Sequence, residues 1–198
     1  MGPSTDQLTN QLFDAGCVKF GAFKLKSGLT SPIYIDLRLL ASHPSLLAAA
    51  ARAMAAVARD LAFDRIAAIP MAGLPIGTAL ALDMDRPLIY PRPRVKAHGT
   101  RRAIEGLFSA GERALVVDDL ITRGTSKIEA IAPLEEAGLV VEDVLVLIDR
   151  QQGGTADLAE RGYRLHSLLR LSEMLEGLRA AGRITAGQYA EVIDYLKA

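Results

Sequence analysis

The chain has 198 residues, half of them hydrophobic, which is enough for one domain with a full core. Its 23 Lys and Arg balance 23 Asp and Glu, so nothing global marks a nucleic-acid or membrane surface. The single Cys17 cannot form an internal disulfide and reads as a small buried hydrophobe, which makes the cytoplasm the default location. No apolar run reaches transmembrane length and the polar N-terminus is no signal peptide. With no repeat or linker to divide it, the chain reads as a single domain over 1–198.

Ser4 and Gln7 have capping-box spacing ahead of Leu8, Leu12 and Phe13, which predicts a first helix ended by Gly16. Residues 18–24 and 33–36 predict short strands around the turn Ser27-Gly28-Leu29-Thr30. This antiparallel unit precedes an α/β pattern, so residues 1–40 form a small hood, joined by C-terminal elements, over one end of the sheet. Pro44 opens a helix whose Leu47, Ala50, Met54, Val57 and Leu61 face a core. Residues 66–69 predict a central strand that runs through Pro70-Met71-Ala72-Gly73 into a helix over 74–82. A short strand at 87–90 leads to the most charged passage: Arg92, Arg94, Lys96, His98, Arg101 and Arg102, with Gly99 and Gly106 as flexible points. It is either a solvated basic loop or a cationic lid over a phosphate-rich ligand. His98 has no second ligand at metal spacing.

The stretch from Ala114 to Ser126 organises the rest. It starts as an apolar run, the pattern of a strand buried on both faces, and meets Asp118 and Asp119. A loop with Thr122, Gly124, Thr125 and Ser126 then opens into a helical pattern. The free N–H groups of a first helical turn make an anion cradle, and Gly124 lets the backbone approach closely. The carboxylates repel phosphate and suit hydroxyls or a hydrated metal, so the outline is that of a ribose 5-phosphate. A P-loop lacks its Lys here, and no G-x-G-x-x-G follows a strand. The bland alternative is a strand-to-helix turn with solvated acids.

The helix beginning at Gly124 or Thr125 carries Ile128, Ile131 and Leu134, meets Pro133, which should kink or shorten it, and closes at Gly138. Residues 144–148 predict a buried strand ending at Asp149-Arg150, a strand terminus and so a site edge. Arg150 is either a surface partner of Asp149 or part of the site. His166 sits in a strand-like run and reads as structural. Thr185 with Gln188 caps a terminal helix that turns Tyr189, Val192, Ile193 and Leu196 inward.

These segments resemble a known family. The 114–126 stretch is similar to the phosphoribosyl-pyrophosphate (PRPP) signature of type I phosphoribosyltransferases. Residues 20–34 (F-G-A-F-K-L-K-S-G-L-T-S-P-I-Y), 92–99 (R-P-R-V-K-A-H-G) and 147–154 (L-I-D-R-Q-Q-G-G) resemble the orotate branch. The resemblance implies an α/β fold with a central, mainly parallel sheet flanked by helices. It implies transfer of ribose 5-phosphate from PRPP to orotate, giving orotidine 5′-phosphate and pyrophosphate in pyrimidine synthesis. It places Lys26 on PRPP, Tyr34 and Ile35 against the orotate ring, and the backbone of Ala72 and Gly73 on pyrophosphate. Arg92, Lys96 and His98 would close over pyrophosphate, and Asp118 and Asp119 would hold ribose hydroxyls or waters of Mg2+. Thr122, Arg123, Gly124, Thr125 and Ser126 would hold the 5′-phosphate, and Arg150 the orotate carboxylate. Mg2+ is expected through PRPP and water, with no direct protein ligand, and the lid 92–106 is expected to be shared across a homodimer. Pro93 and Ala72 stand where many members have Lys. The alternatives are transfer to another base, a PRPP-sensing regulator, or a generic nucleotide-binding module.

Overall fold

The computed structural model describes residues 4–24, 28, 30–92 and 103–197. Ser4 Oγ accepts the Gln7 N–H at 3.2 Å and Gln7 Oε1 accepts the Ser4 N–H at 3.1 Å, so the expected box starts α1 (Thr5–Asp14). Gly16, at φ +73°, ends it: the Cys17 N–H reaches the Leu12 carbonyl at 2.9 Å and the Gly16 N–H reaches that of Phe13 at 3.0 Å. Cys17 is fully buried, and burial pushes its thiol up to about 11. Strands β1 (Val18–Lys24) and β2 (Thr30–Ile35) pair antiparallel as the hood. β2 begins earlier than the apolar pattern predicts, because pairing extends to Lys24 with Thr30 beside the turn.

A 3-10 turn (Leu37–Ser42) leads to α2 (Pro44–Ala58), then β3 (Arg65–Ala68) and α3 (Gly73–Met84). β4 (Leu88–Pro91) and the two-residue β5 (Ile104–Glu105) follow, then β6 (Ala114–Ile121), α4 (Thr125–Glu136) and β7 (Asp143–Asp149). The chain ends with α5 (Gly154–Ala159), β8 (Arg164–Arg170), α6 (Leu171–Ala180) and α7 (Ala186–Lys197). α4 continues through Pro133 to Glu136, and Gly138 in the left-handed region closes it.

The main sheet has the order β5-β4-β3-β6-β7-β8, parallel throughout except for β5 against β4. The chain builds outward from β3 to β4 and β5, then returns to place β6 on the other side of β3. That reversal is a topological switch point, where open parallel sheets bind ligands beyond the strand C-termini. Every residue of β7 is buried, as a strand covered on both faces requires. Leu145 and Leu147 face a cluster shared with α1, the hood, α2, α3, α6 and α7, while Val144 and Val146 face α4 and α5. Truncating such a residue, Leu145→Ala, would cost about 2–5 kcal/mol. Among the described residues no helix is long and apolar enough to cross a membrane.

Candidate active site

The switch point brings two strand-to-helix junctions side by side. Gly73 opens α3 against the end of β6: a Cβ there would lie 2.8 Å from Asp118 Oδ1 and 3.0 Å from the Val117 carbonyl. The contact leaves no room for a side chain. It brings the backbone of Ala72 and Gly73, which follows a cis Pro70–Met71 peptide, next to the acid pair. The second junction is the expected cradle. Gly124 is the N-cap of α4, and Thr125 and Ser126 are exposed in its first turn. Their N–H groups have no hydrogen-bond partner among the described residues, as an anion site at a helix N-terminus requires. The Gly124 N–H is the exception. It donates to Asp157 Oδ2 of α5 at 2.9 Å, so the cradle rests on a carboxylate that the sequence pattern did not point to.

The two acids are not equivalent. Asp118 is buried; its Oδ1 accepts the Asp119 N–H at 2.8 Å and its Oδ2 lies 2.5 Å from Lys127 Nζ, itself buried in α4. Asp119 is half-buried, and its Oδ1 accepts the Leu120 N–H at 2.8 Å. Burial, then the charge and hydrogen bonding of Asp118, push its carboxyl up to about 7. Lys127 was missed from the sequence. Its signal was a cation in the first turn of a helix, the end where positive charge is disfavoured.

Arg150 is no surface partner of Asp149. Its Nε and Nη2 are buried with no hydrogen-bond partner, and burial holds the guanidinium below its usual range. The Asp149 carboxylate instead accepts the Gln151 N–H at 2.7 Å. Gln151 adopts φ +58°, an uncommon state for a residue with a side chain and one that concentrates at functional sites. This loop locks onto the cradle. The Gly154 N–H donates to the Thr122 carbonyl at 3.1 Å, and the Arg123 guanidinium lies where a Gly153 side chain would project.

The remaining predicted residues divide. Strand alternation puts Tyr34 and Ile35 on opposite faces of β2, so they do not face one site together. Tyr34 packs its ring 5.4 Å from that of Phe23 and accepts from Arg38 at 3.1 Å, whereas Ile35 belongs to the core. Arg92 pairs with Glu105 across the β4–β5 ladder, so its charge is neutralised at the base of the basic segment. Lys26, Lys96 and His98 lie outside the described residues.

A parallel sheet with an acid pair and an N–H cradle at its switch point, under an N-terminal hood, defines a type I phosphoribosyltransferase. An orotate phosphoribosyltransferase from Aeropyrum pernix superposes with a TM-score of 0.79 at 38% identity, over 87% of this chain and 98% of that one. That of Mycobacterium tuberculosis, solved with PRPP, gives 0.72 at 26% identity over 87% and 99%. The UMP synthase of Leishmania donovani gives 0.91 at 42% identity, covering 98% of this chain and 42% of that one. No family model matches the chain. Among curated proteins it is 45% identical to a bifunctional PyrF/PyrE enzyme of Nostoc, over 90% of this chain and 38% of that protein. It is 38% identical to the orotate phosphoribosyltransferase of Caenorhabditis elegans, over 97% of this chain and 85% of that protein. The chain belongs to the orotate phosphoribosyltransferase family; it spans less than half the length of its bifunctional relatives and most of the monofunctional ones.

Proposed function

We propose that this chain transfers ribose 5-phosphate from PRPP to orotate, releasing pyrophosphate and orotidine 5′-phosphate for pyrimidine nucleotide synthesis in the cytoplasm. The observation that carries the choice of base is Arg150. A buried guanidinium with two unpartnered nitrogens, beside a phosphate cradle, suits a planar carboxylate. The attacking nitrogen belongs to orotate, so no enzyme nucleophile is required. Charge separates as the anomeric bond breaks, and the protein works by positioning and electrostatics.

Thr125 and Ser126 N–H groups, with the Thr122 loop and Arg123, hold the 5′-phosphate. Asp119 meets the ribose hydroxyls or the waters of a metal ion. Ala72 and Gly73 present backbone to pyrophosphate, and Tyr34, with Lys26 nearby in sequence, borders the base side. The residues fit Mg2+ bound through substrate: among the described residues no cation meets the Asp119 carboxyl, which lies beside that of Asp118, and a neighbouring cation would favour its ionised form. Bound there, the ion would neutralise pyrophosphate oxygens.

Pyrophosphate release with PRPP and Mg2+, compared across orotate, uracil, adenine and hypoxanthine, tests the assignment. Turnover with orotate alone is expected; equal turnover with a base lacking a carboxylate would refute it. We infer also that the unit is a homodimer whose segment 92–106 serves the neighbouring site, as the family resemblance implies. A Lys96→Ala, His98→Ala chain mixed with an Asp119→Asn chain should then recover activity towards roughly a quarter of wild type under random pairing. Proven subunit mixing without recovery would place the segment on its own site.

A further inference from the structure

We propose that Lys127 is a positioning residue that divides the work of the adjacent acids: it fixes Asp118 as an internal anchor and leaves Asp119 as the carboxylate that meets the substrate. This rests on the phosphoribosyl-transfer reading of the site. Lys127 occupies an unfavourable position on two counts. Its side chain is only 8% exposed, where an unpaired ammonium is not tolerated, and it lies in the first turn of α4, at the positive end of the helix dipole. What compensates is Asp118 Oδ2 at 2.5 Å. The other Asp118 oxygen is held by the Asp119 N–H, and the bare Cα of Gly73 presses against it. The Asp118 carboxylate is therefore closed in by α4, by its own strand and by α3.

Two acids share one lysine, and the geometry makes Asp119 the carboxyl left without a cation. Asp119 Oδ1 is oriented by the Leu120 N–H, and among the described residues no other N–H and no cation meets this carboxyl, whose near neighbour is the Asp118 carboxyl. The anchor also has reach. Asp118 touches the opening residue of α3, while Lys127 is rooted in the first turn of the cradle helix, so the pair ties the pyrophosphate-side loop to the 5′-phosphate-side loop. Without Lys127, Asp118 would be an unpaired buried carboxylate. It would have to swing outward or take up a proton, and either change moves the Asp119 backbone it holds.

The test uses the full chain with Lys127→Met, the neutral pair Lys127→Met/Asp118→Asn, and Asp119→Asn alone and in the neutral-pair background. Steady-state kinetics are read with PRPP and orotate, PRPP binding by calorimetry with and without Mg2+, and folding by thermal unfolding. Lys127→Met is expected to lower kcat at least tenfold and weaken PRPP, while the KM for orotate, set by Arg150, stays within about twofold. The neutral pair should recover at least tenfold of that loss, because the amide oxygen that Asp118→Asn introduces still accepts from the Asp119 N–H. Asp119→Asn should not be rescued in either background. A neutral pair as inactive as Asp119→Asn, although folded, would show that Asp118 itself meets substrate and would overturn the division. Wild-type kinetics in a Lys127→Met chain would overturn the role of Lys127. Failure of wild type to turn over orotate would instead strike the reaction reading, a result the variants cannot mimic.

Discussion

At the N-terminal ends of the parallel strands, charge is paired. Arg65 at the start of β3 donates to Glu112, just before β6, at 2.5 and 2.6 Å. Asp143 at the start of β7 is gripped by Arg164 at 2.8 and 2.9 Å and by His166 at 2.8 Å, both from β8. At the C-terminal ends of β6 and β7, Asp119 and Arg150 are at least half-buried, yet neither has a salt-bridge partner among the described residues. Both ends bear the desolvation cost of charge, but at the C-terminal ends of β6 and β7 only Asp118, through Lys127, gains an internal partner for it, and Asp119 and Arg150 do not. In the proposed reaction the paired charges serve the fold, and Asp119 and Arg150 are the charges left for a ligand.

Arg150 offers the largest break in that comparison. Arg150→Met should weaken apparent orotate affinity by roughly 2–4 kcal/mol, the loss of a charged hydrogen-bonding partner. Thermal unfolding should stay level or move upward, because the removed charge had no native partner. Steady-state kinetics and a melting curve decide it, and an orotate KM within about twofold of wild type would refute the assignment. The converse change at the other end is Asp143→Asn. It leaves Arg164 and His166 without their carboxylate and should destabilise the fold by about 1–3 kcal/mol. Its KM values for both substrates should remain near wild type. A selective loss of PRPP or orotate binding would mean that the two ends are not functionally separate.

Much of this contrast is visible in sequence, and the part that is not has a common cause. An apolar run followed by Asp118, Asp119 and a Gly-hydroxyl loop identifies β6 and its cradle, because periodicity and helix-end chemistry are local. The boxes at Ser4 and Thr185 are equally local, and both form. Arg150 stood between two readings, because its burial depends on elements distant in the chain, with Tyr195 of α7 near it. Asp157 holds the cradle from 33 positions away and Glu105 neutralises Arg92 from 13 away; neither pairing is inferable before the strand order is known. The short α5 carried too little pattern to be placed, whereas α6, which follows β8 without a break, was passed over although Leu171, Met174, Leu175 and Leu178 keep helical spacing. Tyr34 and Ile35 form one motif on paper, but strand alternation separates them.

A pH titration sharpens the comparison at smaller amplitude, because acid acts on the two ends with opposite sign. Asp143 is held below its ordinary 3.8, first by Arg164 hydrogen bonding, so its contribution is present above the unfolded value and is lost as pH falls through the lower folded one. Asp119 behaves the other way. Its folded value, about 7, lies above the ordinary 3.8, so the native state binds its proton more tightly than the unfolded chain does. Its stabilising contribution is fully present below the unfolded value and is lost as pH rises through 7. In the proposed reaction Asp119 acts in the ionised form that the ligand-free fold disfavours. Between pH 8 and 6, kcat/KM for PRPP should therefore fall, approaching about tenfold per unit on the acid side. The melting temperature of wild type should rise over the same interval relative to that of Asp119→Asn, which lacks the titrating group. A wild-type protein whose melting curve tracks that of Asp119→Asn from pH 8 to 6 would show that the Asp119 carboxyl is not held up in the free protein.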